Sequence, residues 1–120
     1  NIPYTYNHLD NYFEIIKYYQ ILDAYLISSR IEGGPMALLE SFACGVPLVS
    51  AKVGMSADLI NDNYNGIKVE VDDINKFIES IQELINNSDF RKKITAQALI
   101  DVQAYDWDTL INKYDRLLYT

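Results

Sequence analysis

The 120-residue chain has the length of one domain, and its 49% hydrophobic and 22% charged residues describe a globular protein rather than a disordered tail. A formal net charge of −7, from 17 Asp and Glu against 10 Lys and Arg, excludes an extended nucleic-acid surface; the basic run Arg91-Lys92-Lys93 reads as the solvated side of a helix. The one cysteine, Cys44, has no partner for an internal disulfide, and no apolar run reaches the ~18 residues of a membrane span, so a reducing cytoplasm is the expected compartment.

In chain order, Asp10 is placed to cap a first helix whose Tyr12, Ile15, Ile16, Tyr19 and Leu22 make one apolar face. A strand over Ala24–Ile27 follows, then a glycine-containing loop. Pro35 suits the first position of a helix running to about Cys44, which Gly45 and Pro47 stop. Pro47–Ser50 reads as a second buried strand, and Ile67–Val71 alternates as a third, edge-like one. Asp72 or Asp73 caps a helix with Ile74, Phe77, Ile78, Ile81, Leu84 and Ile85 on one side. Ser88 starts another through Ile94, Ala98 and Val102, and Asp106 caps a last one bearing Leu110, Ile111, Tyr114, Leu117 and Leu118. Strands separated by helices imply α/β architecture with a parallel sheet, joined by a right-handed crossover that leaves the loop holding Glu32 at the carboxyl edge, where ligands of open α/β folds bind. No repeat or linker divides the chain, so residues 1–120 read as one unit.

Two carboxylates flank that loop and helix, Glu32 before Gly33-Gly34-Pro35 and Glu40 inside the apolar run. An ionised carboxylate in a buried helix costs at least several kcal/mol without donors, so Glu40 needs partners, and sugar hydroxyls are suitable ones. Helical side chains lean toward the N-terminus, where the free N–H groups of Met36, Ala37 and Leu38 and the helix dipole favour a phosphate. That end suits both a ribose and a pyrophosphate. Glycines there permit close backbone approach, or simply a tight turn.

The segment Ser29-Arg30-Ile31-Glu32-Gly33-Gly34-Pro35 through Leu39-Glu40-Ser41-Phe42-Ala43-Cys44-Gly45-Val46-Pro47-Leu48-Val49 resembles the donor-binding signature of retaining glycosyltransferases of family 4, which have the GT-B fold. Downstream, Val53-Gly54-Met55-Ser56-Ala57-Asp58-Leu59-Ile60 is similar to that family's Gly-Gly-x-x-Glu loop. Asn65-Gly66-Ile67-Lys68-Val69 resembles its Asn-Gly-Leu-Leu-Val turn, and Tyr105-Asp106-Trp107 its aromatic-x-Trp motif. Met55 in place of the second glycine and Asp58 in place of the glutamate depart from the pattern.

The resemblance implies a partial Rossmann-like parallel sheet with flanking helices, the second half of a GT-B C-terminal domain, whose closing helix crosses back to the other domain. With Asn1 in place of an initiator methionine, the expectation is a donor-binding fragment of a longer enzyme, inactive alone, with the N-terminal acceptor domain and the main phosphate-binding Arg and Lys upstream. The implied reaction moves a sugar from a nucleoside diphosphate sugar to an acceptor hydroxyl with retention. Glu32, the expected catalytic residue, orients the sugar; Gly33, Gly34, Met36, Ala37, Leu38 and Glu40 bind the donor, Glu40 through both ribose hydroxyls. No metal or cofactor is expected, and peripheral membrane contact of the full enzyme stays open. The residues also allow blander roles. Glu32 suits a solvated loop, Glu40 a carboxylate satisfied by backbone or an arginine, and Arg30 either a phosphate contact or a solvated loop. His8 reads as a surface residue and Cys44 as a small core residue. The rival to an enzyme is a noncatalytic Rossmann-like module binding a nucleotide or a protein.

Overall fold

A computed structural model describes residues 2–34 and 36–118. Strands β1 (Tyr25–Ile27), β2 (Leu48–Ala51) and β3 (Ile67–Val69) form a parallel sheet in the order β1-β2-β3, with Tyr25 opposite Leu48 and Val49 opposite Ile67. This is the parallel sheet that strands separated by helices predict, in the partial Rossmann-like arrangement that the resemblance implies. Central β2 is buried at every residue, as a strand covered on both faces must be, whereas β1 leaves Leu26 nearly half exposed. One cluster joins Leu38 and Phe42 of helix α2 (Met36–Ala43) to Ile27, Leu48 and Ala98. A second joins Val49, Ile67 and Val69 to Leu84 of α4 (Ile74–Asn86) and Ile94 of α5 (Ser88–Asp101).

Most helix ends follow from the sequence. At the end of α2, Gly45 adopts φ +69°, its N–H reaches the Phe42 carbonyl at 3.1 Å, and the Val46 N–H reaches Ser41 at 2.9 Å, a Schellman stop that only glycine enters without strain. Asp73 caps α4 by accepting from the Lys76 N–H, and Asn87 caps α5 by accepting from Phe90. Strand β3 ends at Val69, two residues before the predicted Val71, because Asp72 turns the chain at φ +65°.

Several expectations are corrected. The first helix is a 3-10 turn, Tyr12–Glu14, capped by Asn11 rather than Asp10 and followed by a six-residue α1, Ile15–Gln20; of its predicted apolar face Tyr19 is buried, Ile15 half-buried, and Tyr12, Ile16 and Leu22 are open. In α4 the inward side is Phe77, Ser80 and Leu84, while Ile74, Ile78 and Ile85 face outward. A five-residue helix, α3 (Met55–Leu59), occupies what read as loop. The final α6 (Trp107–Leu118), after a 3-10 turn at Val102–Tyr105, buries none of its residues. Pro35 lies outside the described residues.

Candidate functional site

Because all three strands are parallel, their carboxyl ends share one edge, and the loops after them meet there. Arg30, after β1, donates to Asp72, after β3, at 2.8 Å, and Lys52 pairs with Glu70 at 3.2 Å. Both pairs are exposed to solvent, which screens them, so they tie the loops together only weakly. Arg30 is thus engaged by Asp72, whose carboxylate raises the guanidinium pKa through their hydrogen bond first and its charge second. Gly54 makes the tightest junction. It opens α3 at φ +45°, and a Cβ there would run into the backbone oxygens of Glu32 and Gly33. Gly54, which matches the first glycine of the Gly-Gly-x-x-Glu pattern, therefore seats the predicted donor loop by backbone contact.

The predicted residues fall into two groups. Glu32, Gly33 and Gly34 lie on the exposed loop, where Ser29 Oγ donates to Glu32 Oε1 at 2.8 Å. A side chain on Gly33 would meet open space; one on Gly34 would come within 3.0 Å of Met55 Sδ, so the residue that replaces the second glycine lies over this one. Met36, Ala37 and Leu38 form the first turn of α2, with Met36 exposed, Ala37 half-buried and Leu38 fully buried, and there the backbone N–H groups of a helix lack intrahelical acceptors.

Glu40, one turn further along α2, is half-buried, and both of its carboxylate oxygens are taken. Tyr12 donates its hydroxyl to Oε1, and Tyr19 donates to Oε2 at 2.9 Å. The partners are phenols, not the backbone or arginine weighed from sequence. They hold the phenolic protons in turn: burial and then Glu40 push the Tyr19 pKa well up, and for Tyr12 the hydrogen bond to Glu40 is the leading cause of a raised pKa. The Cys44 thiol is also pushed up, by burial and then by the Glu40 charge, as fits an inert, half-buried side chain. Beside Glu40 runs a groove of about 380 Å³ lined by Met36, Leu39, Val102, Gln103 and Trp107. A neighbouring hollow of about 430 Å³, lined by Leu39 and Phe42 of α2 and by Asp58, contains none of the predicted donor-binding residues.

Sequence reasoning missed Tyr12 and Tyr19 as partners of Glu40, although their spacing of seven, two helical turns, signals a shared side. It placed Asn65 in a turn motif without a role for its side chain, which is buried, accepts from the Asn61 N–H at 2.9 Å and donates to the Leu59 carbonyl and to Asp101 at 2.7 Å, tying α3 to α5. Among the described residues no helix is long and apolar enough to cross a membrane.

The sequence pattern of the family described as glycosyl transferases group 1 matches residues 5–100. The chain belongs to that family. An uncharacterised glycosyltransferase of Methanocaldococcus jannaschii is 29% identical over 98 residues, covering 82% of this chain and 28% of the relative. A D-inositol 3-phosphate glycosyltransferase of Thermobifida fusca is 22% identical over 99 residues, covering 82% of this chain and 23% of its own length. The chain thus spans about a quarter of these relatives. Among solved structures, the C-terminal domain of a glycosyl transferase group 1 family protein from Francisella tularensis superposes with a TM-score of 0.79 at 26% identity, covering 85% of this chain and 53% of that one. An Anabaena protein crystallised with UDP superposes at 0.80 with 22% identity, covering 86% of this chain and 29% of that one, a likeness of fold. The three-stranded parallel sheet with its helices is part of a GT-B C-terminal domain, and the glycosyltransferase family is shared.

Proposed function

We propose that this family member is a retaining glycosyltransferase of family 4 and that residues 1–120 supply the donor-nucleotide part of its site, the acceptor domain lying elsewhere in a longer protein. The observation that carries the reading is Glu40, a carboxylate on a well-packed helix that accepts one hydroxyl on each oxygen, the demand that a vicinal ribose diol meets. In this reading Glu40 holds the ribose, the N–H groups of Met36, Ala37 and Leu38 and the Gly33-Gly34 backbone hold the diphosphate and sugar, and Glu32 orients the transferred sugar from the loop. Catalysis then rests on positioning and on stabilising the departing diphosphate at the start of α2. The exposure of Glu32, Gly33 and Gly34 supports this, since a loop that takes up a ligand has to be reachable. Met55, over Gly34, packs against the donor or moves aside for it.

Saturation-transfer NMR on the full-length protein with UDP-glucose, GDP-mannose and ADP-glucose tests the reading. One of the three should show transfer to its ribose and sugar protons. Absence of transfer from all three overturns it in favour of a noncatalytic module that binds a protein.

A further inference from the structure

The two hydroxyls that reach Glu40 are held in different ways. Tyr19 is 4% exposed, packs its ring against Tyr25 of β1 with centroids 5.4 Å apart, and donates to Oε2 from within α1. Tyr12 is 64% exposed, belongs to a 3-10 turn that buries none of its residues, and has as its ring neighbour Phe13, itself 76% exposed. The side chain on Oε2 is therefore fixed by packing, and the one on Oε1 is fixed chiefly by the hydrogen bond itself.

We propose that Tyr12 is a displaceable occupant of the nucleoside position: in the empty site its hydroxyl takes the place on Glu40 Oε1 that one ribose hydroxyl takes in the filled site, while Tyr19 stays on one lone pair of Oε2, orients the carboxylate and leaves the other lone pair to the second ribose hydroxyl. The inference rests on the reading of Glu40 as the ribose acceptor. Exchange of one hydroxyl for another on Oε1 keeps the carboxylate satisfied throughout, so moving Tyr12 leaves no buried charge unpaired. Little else resists the motion, because the turn carrying Tyr12 covers no buried residue of its own. The closed state nonetheless competes with ligand, and apparent affinity falls in proportion to the fraction of molecules in which Oε1 is free. Tyr12 thereby sets donor affinity without being required to touch the donor.

The test is a set of titrations of the full-length protein with UDP, GDP and ADP and, for whichever binds best, its 2′,3′-dideoxy counterpart, using Tyr12→Phe, Tyr12→Leu and Glu40→Gln. Both Tyr12 variants should bind the ribonucleotide roughly three- to tenfold more tightly than the parent, the scale of one hydrogen bond. The dideoxy compound, which offers no hydroxyl to Oε1, should not share that gain, so the ribo-to-dideoxy ratio rises; a change in folding would not move that ratio. If Glu40→Gln weakens the ribonucleotide while the Tyr12 variants bind like the parent or more weakly, Tyr12 is no competitor and the inference falls with the donor reading intact. If Glu40→Gln binds like the parent, or no nucleotide binds, the donor reading falls and the inference with it.

Discussion

Between Tyr25 and Ala98 the strands, α2 and α5 enclose a sealed core, with Leu38, Leu48, Val49 and Ile94 fully buried and Leu26 and Met36 left at its surface, whereas Tyr4, Tyr6, Tyr12 and Phe13 before that stretch and Trp107, Ile111, Tyr114 and Leu117 after it stand open. Both regions are rich in apolar residues; they differ in neighbours. The strands lie between helices on two faces, while the first 3-10 turn packs chiefly on α1 and α6 chiefly on the turn before it. The proposed donor site straddles this divide. Glu40 and the start of α2 belong to the sealed part, and Tyr12, which engages Glu40, belongs to the open one.

The largest effect should separate the two regions directly. Leu48→Ala empties a fully buried site in β2 and is expected to cost about 2–5 kcal/mol, whereas Ile111→Ala, on the exposed side of α6, should stay within about 0.5 kcal/mol. Urea unfolding of both variants measures this, and equal losses would mean that α6 is packed as tightly as the sheet.

A smaller contrast lies within the site edge. Gly54→Ala forces a side chain into left-handed backbone and against the oxygens of Glu32 and Gly33, a loss of about 1–3 kcal/mol. Gly33→Ala points into open space and should change stability by no more than about 0.5 kcal/mol. Thermal melts that rank the two the other way would show that the Gly54 junction does not hold the loop.

The smallest effect is alkaline. The folded-state pKa of Tyr19 is raised, by burial first and by Glu40 next, so its contribution is fully present below the unfolded tyrosine value near ~10 and is lost as pH rises from there toward the folded value. Stability should fall above about pH 10, and Tyr19→Phe should make that fall shallower. An unchanged slope would place the Tyr19–Glu40 pair outside the folded-state energetics.

The sealed region was legible because its signals are local. Apolar runs mark β1 and β2, Gly45 marks the end of α2, and Asp73 marks the start of α4. The first helix misled because apolar spacing states which residues share a side, not whether anything covers that side; Ile16 and Leu22 stay exposed for want of a neighbour. Helix α3 escaped because five residues are too few to show a helical period. Of the site, Glu32, Gly33, Gly34 and the α2 start were legible as loop and helix terminus. The partners of Glu40 were not, since they lie 28 and 21 residues away in the chain and meet it only through tertiary packing.

Nucleoside diphosphate titration of Glu40→Gln against Glu32→Gln in the full-length protein tests the division of roles most directly. Replacing the Glu40 carboxylate by an amide removes a charge-assisted acceptor and adds an unwanted donor, so affinity should fall by about 1.5–3 kcal/mol, roughly ten- to hundredfold. Glu32→Gln should leave nucleotide affinity near the parent value and lower turnover instead. A Glu40→Gln protein that binds like the parent, beside a Glu32→Gln protein that loses the nucleotide, would contradict the account.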